Sequence, residues 1–132
     1  MQTGSAAKGK TARDTKTATD AVKEVLDTVI ASLEDSKAED LLNINIQGKS
    51  ALGDHMIVAS GRSHRHVGAI ADHLLRDLKS KGLGTPKTEG LQGCDWVLID
   101  TGDVIVHIFR PEVREFYGLE KMWMVPDQQE VH

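Results

Sequence analysis

The sequence predicts an α/β protein, a single domain in which a mixed β-sheet is flanked by helices. Three observations predict it. Two segments carry apolar residues at helical spacing, a third alternates apolar and polar residues, and the stretch from Asp95 to Phe109 reads as two strands joined by a tight turn. At 132 residues the chain is long enough to bury about 65–70% of the surface that its unfolded form exposes. No second domain is expected.

The elements follow in order. The opening MQTGSAAKGKTARDTKTATD is small, polar and weakly basic, with no apolar periodicity, so residues 1–18 are expected to form a disordered extension. The folded domain is expected over 19–125. Thr19 or Asp20 can cap its first helix, on which Val22, Val25, Leu26, Val29, Ile30 and Leu33 share one face. In LLNINIQG, Leu42, Ile44 and Ile46 alternate with Asn43, Asn45 and Gln47, a strand with one buried face. HMIVAS, residues 55–60, is a short run of the kind found in a more buried strand. Val67, Ile70, Ala71, Leu74, Leu75 and Leu78 trace a second amphipathic helix, which Gly82 can end in a left-handed cap. GLGTPKTEG connects, with at most a short strand.

In the hairpin, a two-residue loop at Thr101 and Gly102 would set Asp100 opposite Asp103, Leu98 opposite Ile105 and Trp96 opposite His107. Val97, Ile99, Val104, Val106 and Ile108 then share a plain core face. The other face mixes Trp96, Leu98, Asp100, Asp103, Ile105, His107 and Phe109. Pro111 opens a short last helix with Val113, Phe116 and Tyr117, since proline suits the first helical position. Residues 126–132 form a polar tail.

Composition narrows the function classes. The net charge is −4, but residues 1–16 carry +3, which leaves −7 on the remainder. So acidic a domain has little of the counterion release that drives non-specific nucleic-acid binding, and a protein surface is the expected partner. No apolar run approaches the ~20 residues that span a bilayer. No membrane contact is expected. Nothing marks the chain for secretion, and the lone Cys94 cannot form an internal disulfide, so a reducing cytoplasm fits.

Two segments carry candidate chemistry. SGRSHRHV, from Ser60, can be read as an anion cradle, with Gly61 turning the chain and Arg62 and Arg65 beside a helix N-terminus. It can also be read as a strand-to-helix turn capped by Ser60 or Ser63, and no nucleotide fingerprint is present. His64 and His66 stand at i and i+2 and diverge on a helix, which argues against a shared metal. The mixed hairpin face suits a binding surface, with aromatic anchors inside a polar rim. Asp100 and Asp103 also admit a metal-dependent nucleotidyl transfer. Against it, the acids flank a turn instead of alternating along a strand, and Arg62 separates Gly61 from Ser63. Cys94 reads as a small apolar filler. Tyr117, Leu119, Met122, Trp123 and Arg114 near the C-terminus can pack on the sheet or extend the binding surface.

The blocks GKSALGDHMIVASGRSHRHVGAIADHL and EGLQGCDWVLIDTGDVIVHIFRPEVREFYGLEKMW closely resemble the ribosomal silencing factor family, also called Iojap-like, over about residues 20–124. The resemblance implies a non-enzymatic translation repressor without cofactor or metal, on a fold similar to nucleotidyltransferases but lacking their catalytic acids. It implies binding to the large ribosomal subunit through its protein number fourteen, which blocks small-subunit joining when nutrients are short. Large-subunit assembly is the alternative that organelle relatives suggest. Carried over by position, Trp96, Asp100 and the tip Thr101, Gly102 and Asp103 make the main contact, with His107, Arg114 and Tyr117 as secondary candidates. The basic N-terminal segment would add a weak attraction to rRNA phosphate, and an exposed Trp96 face could pair two copies in a homodimer.

Overall fold

The computed structural model describes residues 10–48 and 53–121. In chain order the elements are α1 (Lys10–Asp35), β1 (Glu39–Asn45), β2 (His55–Ser60), α2 (His64–Ser80), β3 (Lys87–Glu89), β4 (Trp96–Asp100), β5 (Val104–Phe109) and α3 (Pro111–Tyr117). The five strands form one sheet in the order β1-β2-β5-β4-β3. The central pair β2 and β5 is parallel and the other neighbours are antiparallel, so the sheet is mixed as expected.

Two apolar layers sandwich this sheet. On one side Val29 and Leu33 of α1 and Val67, Ile70, Ala71, Leu74 and Leu78 of α2 pack on Ile57, Ala59, Val97, Ile99, Val104, Val106 and Ile108. On the other, Ile44, Ile46, Met56, Val58 and Phe109 are buried together, with Leu42, Trp96, Val113 and Leu119 partly buried against them. Every residue of β5 is buried, because the strand lies centrally and both its faces are covered.

Helix α1 begins at Lys10, not at the expected Thr19 or Asp20 cap, so residues 10–18 of the predicted extension are helical. The physical reason is composition: from Lys10 to Asp35 there is neither glycine nor proline, and a backbone helix propagates past its apolar face until something stops it. Residues 1–9 lie outside the described residues, as do the tail 126–132, Met122 and Trp123.

Both long helices end in the same hydrogen-bonded wrap. In α2, Gly82 N–H donates to the Lys79 carbonyl and Leu83 N–H to that of Leu78, with Gly82 at φ +69°, so the cap expected of Gly82 is present. In α1 the corresponding bonds run from Lys37 to Glu34 and from Ala38 to Leu33, with Lys37 taking the left-handed position at φ +64°.

The hairpin register corrects the predicted pairing. Trp96 pairs with Phe109, Leu98 with His107 and Asp100 with Ile105. The tip is therefore Gly102–Asp103, with Gly102 at φ +103° and Thr101 N–H donating to the Val104 carbonyl. A loop at Thr101–Gly102 would have forced a β-branched residue into the first central position, which in the favoured hairpin turns needs positive φ. The register moves by two residues, so parity and the two predicted faces survive.

Candidate functional site

The exposed apolar surface of this fold is concentrated where the hairpin's open end meets α3. Arg110 and Pro111 turn the chain out of β5 directly into α3, with Arg110 N–H donating to the Asp95 carbonyl and Arg110 Nε to the Asp95 carboxylate at 2.8 Å. That turn lays Tyr117 against Trp96, their ring centroids 4.9 Å apart, while Trp96 stacks on its strand partner Phe109 at 4.8 Å. Phe116 meets Tyr117 edge-on at 5.0 Å. Phe116 is 80% exposed and Tyr117 56%, an unusual display for two adjacent aromatic residues on a soluble face.

Beside this ridge runs a groove of about 560 Å³, lined by Cys94, Trp96, Val113, Phe116 and Tyr117 together with Asp95 and Glu112. Its far wall is the 90–95 segment. Gly90 sits at φ +87°, and a Cβ there would run into the Trp96 carbonyl oxygen, so only glycine lets the loop pass this close to β4. Cys94 is half-buried, packs against the helix-side core and donates its thiol to the Leu91 carbonyl at 3.0 Å, in keeping with the filler expected of it.

The predicted site residues separate into three places. Trp96, His107 and Tyr117 come together in the aromatic cluster. Asp100, Thr101, Gly102 and Asp103 lie at the opposite end of β4, about 13 Å away along the strand. That tip is tied down: the Asp103 carbonyl accepts from the N–H groups of Asp54 and His55, Asp100 Oδ1 accepts from Gly102 N–H, and Thr101 Oγ1 bonds Val104. Arg114 turns inward. Only 12% of its side chain is exposed, and it donates to Glu120 at 3.0 Å and to the Asp40 carbonyl and Ser60 Oγ at 2.8 Å each. A bulge between Glu39 and Leu42, with Asp40 at φ +50°, brings that carbonyl into reach.

His107 is 8% exposed and lies beneath Trp96, whose Nε1–H donates to its Nδ1 at 3.0 Å. Burial lowers its pKa from 6.5 to about 4, so the ring is neutral near pH 7, as an accepting Nδ1 requires. Above pH 6.5 native and unfolded chains both hold it neutral. As pH falls from 6.5 toward 4 the unfolded chain takes up a proton that the native state refuses, so stability falls across that window by roughly 3 kcal/mol and levels off below it. Urea midpoints of the wild type and His107→Gln between pH 7 and pH 4 should diverge accordingly, the wild type losing more. Equal pH slopes would refute this.

Phe116 is the exposed aromatic residue of this cluster that sequence reasoning did not single out as a candidate. The signal was the F-Y pair itself: neighbours on a helix point about 100° apart, so one of them must leave the face that the other shares with the sheet.

The basic turn after β2 is structural. Ser63 caps α2 by accepting His66 N–H at 3.0 Å, and a Cβ on Gly61 would stand 2.9 Å from Val67 N. His66 accepts Arg62 N–H on Nδ1 and bonds the Ser36 carbonyl through Nε2, joining the start of α2 to the end of α1. His64 points elsewhere, to Asp95 at 2.8 Å, so the two histidines diverge as expected. Gly61 N–H bonds the Phe109 carbonyl, whereas Asp103 borders the other end of the same strand pair, about 20 Å away. The two features that motivated nucleotidyl transfer therefore do not share a site. Among the described residues, no group of three or more His, Cys, Asp or Glu side chains could hold one metal ion.

Comparison with known proteins gives this surface its context. A model of the family described as "Ribosomal silencing factor during starvation" matches residues 8–132. The chain belongs to the ribosomal silencing factor family. It is 47% identical over 104 residues to "Ribosomal silencing factor RsfS" of Zymomonas mobilis, covering 79% of this chain and 78% of that protein. A crystal structure of a Chromobacterium violaceum protein superposes with a TM-score of 0.75 at 37% identity, covering 77% of this chain and 85% of that one. The mouse protein "Mitochondrial assembly of ribosomal large subunit protein 1" is 32% identical over 74% of this chain, which spans 44% of that longer relative. Membership in the ribosomal silencing factor family identifies the chain as a ribosome-associated regulator of translation. Among the described residues, no helix is long and apolar enough to cross a membrane.

Proposed function

We propose that this protein is a translation repressor of the cytoplasm that docks on the large ribosomal subunit at its protein number fourteen and sterically blocks joining of the small subunit during nutrient limitation. The observation that carries this reading is the exposed pair Phe116 and Tyr117 against the half-buried Trp96, beside an apolar groove, in a chain whose family is defined by ribosome silencing. A standard interface covers about 800 Å² on each partner, a patch roughly 30 Å across. Centred on Trp96, such a patch reaches the Asp100–Asp103 tip, which becomes its polar rim. Arg114 is assigned to holding α3 in place instead of to the contact. The basic N-terminal segment adds a weak attraction to rRNA phosphate, and pairing of two copies through the ridge would compete with docking.

Sedimentation with separated mature subunits tests this directly. The protein should travel with the large subunit alone and reduce the yield of joined particles when small subunits are added. Joining at the untreated level, with the protein bound, would eliminate steric blocking. The mouse relative's name favours one second reading, a large-subunit assembly factor. That role predicts association with immature large subunits only.

A further inference from the structure

Trp96 is clamped from inside its own chain. Its Nε1–H donates to His107 Nδ1 at 3.0 Å, its ring lies 4.8 Å from Phe109 with 27° between the planes, and Tyr117 covers it at 4.9 Å. His107 and Trp96 are not strand partners, since Leu98 faces His107 across the ladder. They are diagonal neighbours on one face, a separation that a long aromatic side chain can bridge. His107 is itself fixed between strands and stacks with Phe109 at 6.0 Å. The indole borders two spaces, the groove of about 560 Å³ and a smaller cleft of about 240 Å³ formed with Glu89, Leu98 and His107. A swing of the ring would change the shape of both.

An indole has one hydrogen-bond donor and no acceptor. Here that donor is already used. We infer that His107 is a positioning residue of the docking surface: by accepting the indole N–H it fixes Trp96 as the wall between the two clefts, and it leaves a partner only the carbon face and edge of the ring. The partner segment that meets Trp96 accordingly presents aliphatic or aromatic carbon, not a hydrogen-bond acceptor. This inference rests on the Trp96 ridge being the docking surface. Burial alone would have been met by leucine, whereas an accepting nitrogen at this depth and distance calls for imidazole, with glutamine the nearest substitute.

The test compares wild type, His107→Leu and His107→Gln, each carrying Trp123→Phe for the exchange measurement alone so that Trp96 is the one indole, and each keeping Trp123 for the binding measurement. Exchange of the indole N–H with water is followed by NMR, and binding to mature large subunits is followed by sedimentation. The wild-type N–H should exchange at least about tenfold more slowly than that of free tryptophan. His107→Leu should lose that protection and bind about tenfold more weakly, the loss of one partly buried hydrogen bond and of the fixed ring. His107→Gln should recover both. A wild-type indole exchanging as fast as free tryptophan overturns the inference without any variant having to fold. Wild-type affinity in His107→Leu also overturns it. Failure of the wild type to bind large subunits at all would instead remove the docking surface, while the exchange rates still decide whether His107 holds the ring.

Discussion

Trp96→Glu is expected to reduce large-subunit binding by at least about 2 kcal/mol, some 30-fold, while the circular dichroism spectrum stays native. The substitution puts a carboxylate where the indole now lies between Phe109 and Tyr117, and a docked partner would have to desolvate that charge without pairing it. The fold should survive, because the helix-side core of Val29, Leu33, Val67, Leu74, Val97 and Ile108 does not involve Trp96. Asp103→Asn provides the contrast. At the exposed tip and at the rim of the proposed interface, it should change affinity by well under 1 kcal/mol and act mainly on the association rate. Wild-type binding by folded Trp96→Glu would sink the proposed surface, and a larger loss from Asp103→Asn would move its centre to the hairpin tip.

Arg114→Ala should destabilise the protein by on the order of 3 kcal/mol, a larger effect on stability than any surface substitution near it. The guanidinium links α3 to two other elements, through the Asp40 carbonyl on β1 and Ser60 Oγ on β2, and it neutralises a Glu120 side chain that is only 17% exposed. Removing it strands that carboxylate in a mostly buried site and frees α3 from the sheet. Arg114→Lys should recover part of the loss, since one ammonium cannot reach all three partners with the fixed fork of a guanidinium. Urea unfolding reads the effect. A wild-type midpoint in Arg114→Ala accompanied by weak subunit binding would return this residue to the contact surface.

These two residues show how differently parts of the molecule can be read from sequence. Trp96 was recognisable because strand periodicity is local: alternation put it on the mixed face of the hairpin, and a register error of two residues left that face unchanged. Arg114 gave no such signal. Two of its three partners stand 74 and 54 residues earlier in the chain, and nothing near it in sequence says that a β-bulge at Asp40 will present a carbonyl to it. The start of α1 was misplaced for a related reason. The apolar face of that helix ends near Val22, but a backbone free of glycine and proline continues to Lys10.

By itself, then, the sequence determined what depends on spacing along the chain: the α/β class, the buried faces of both long helices, strand β2, the two faces of the hairpin and the family motifs. The tertiary structure decided what depends on distant residues meeting. It set Gly102–Asp103 at the tip, carried Tyr117 across to Trp96 through the Pro111 turn, left Phe116 outside, and committed Arg114 and His107 to partners within the protein. Periodicity fixes which way a side chain points from its own element, whereas its use in binding or in holding the fold depends on which groups the other elements bring within hydrogen-bonding distance.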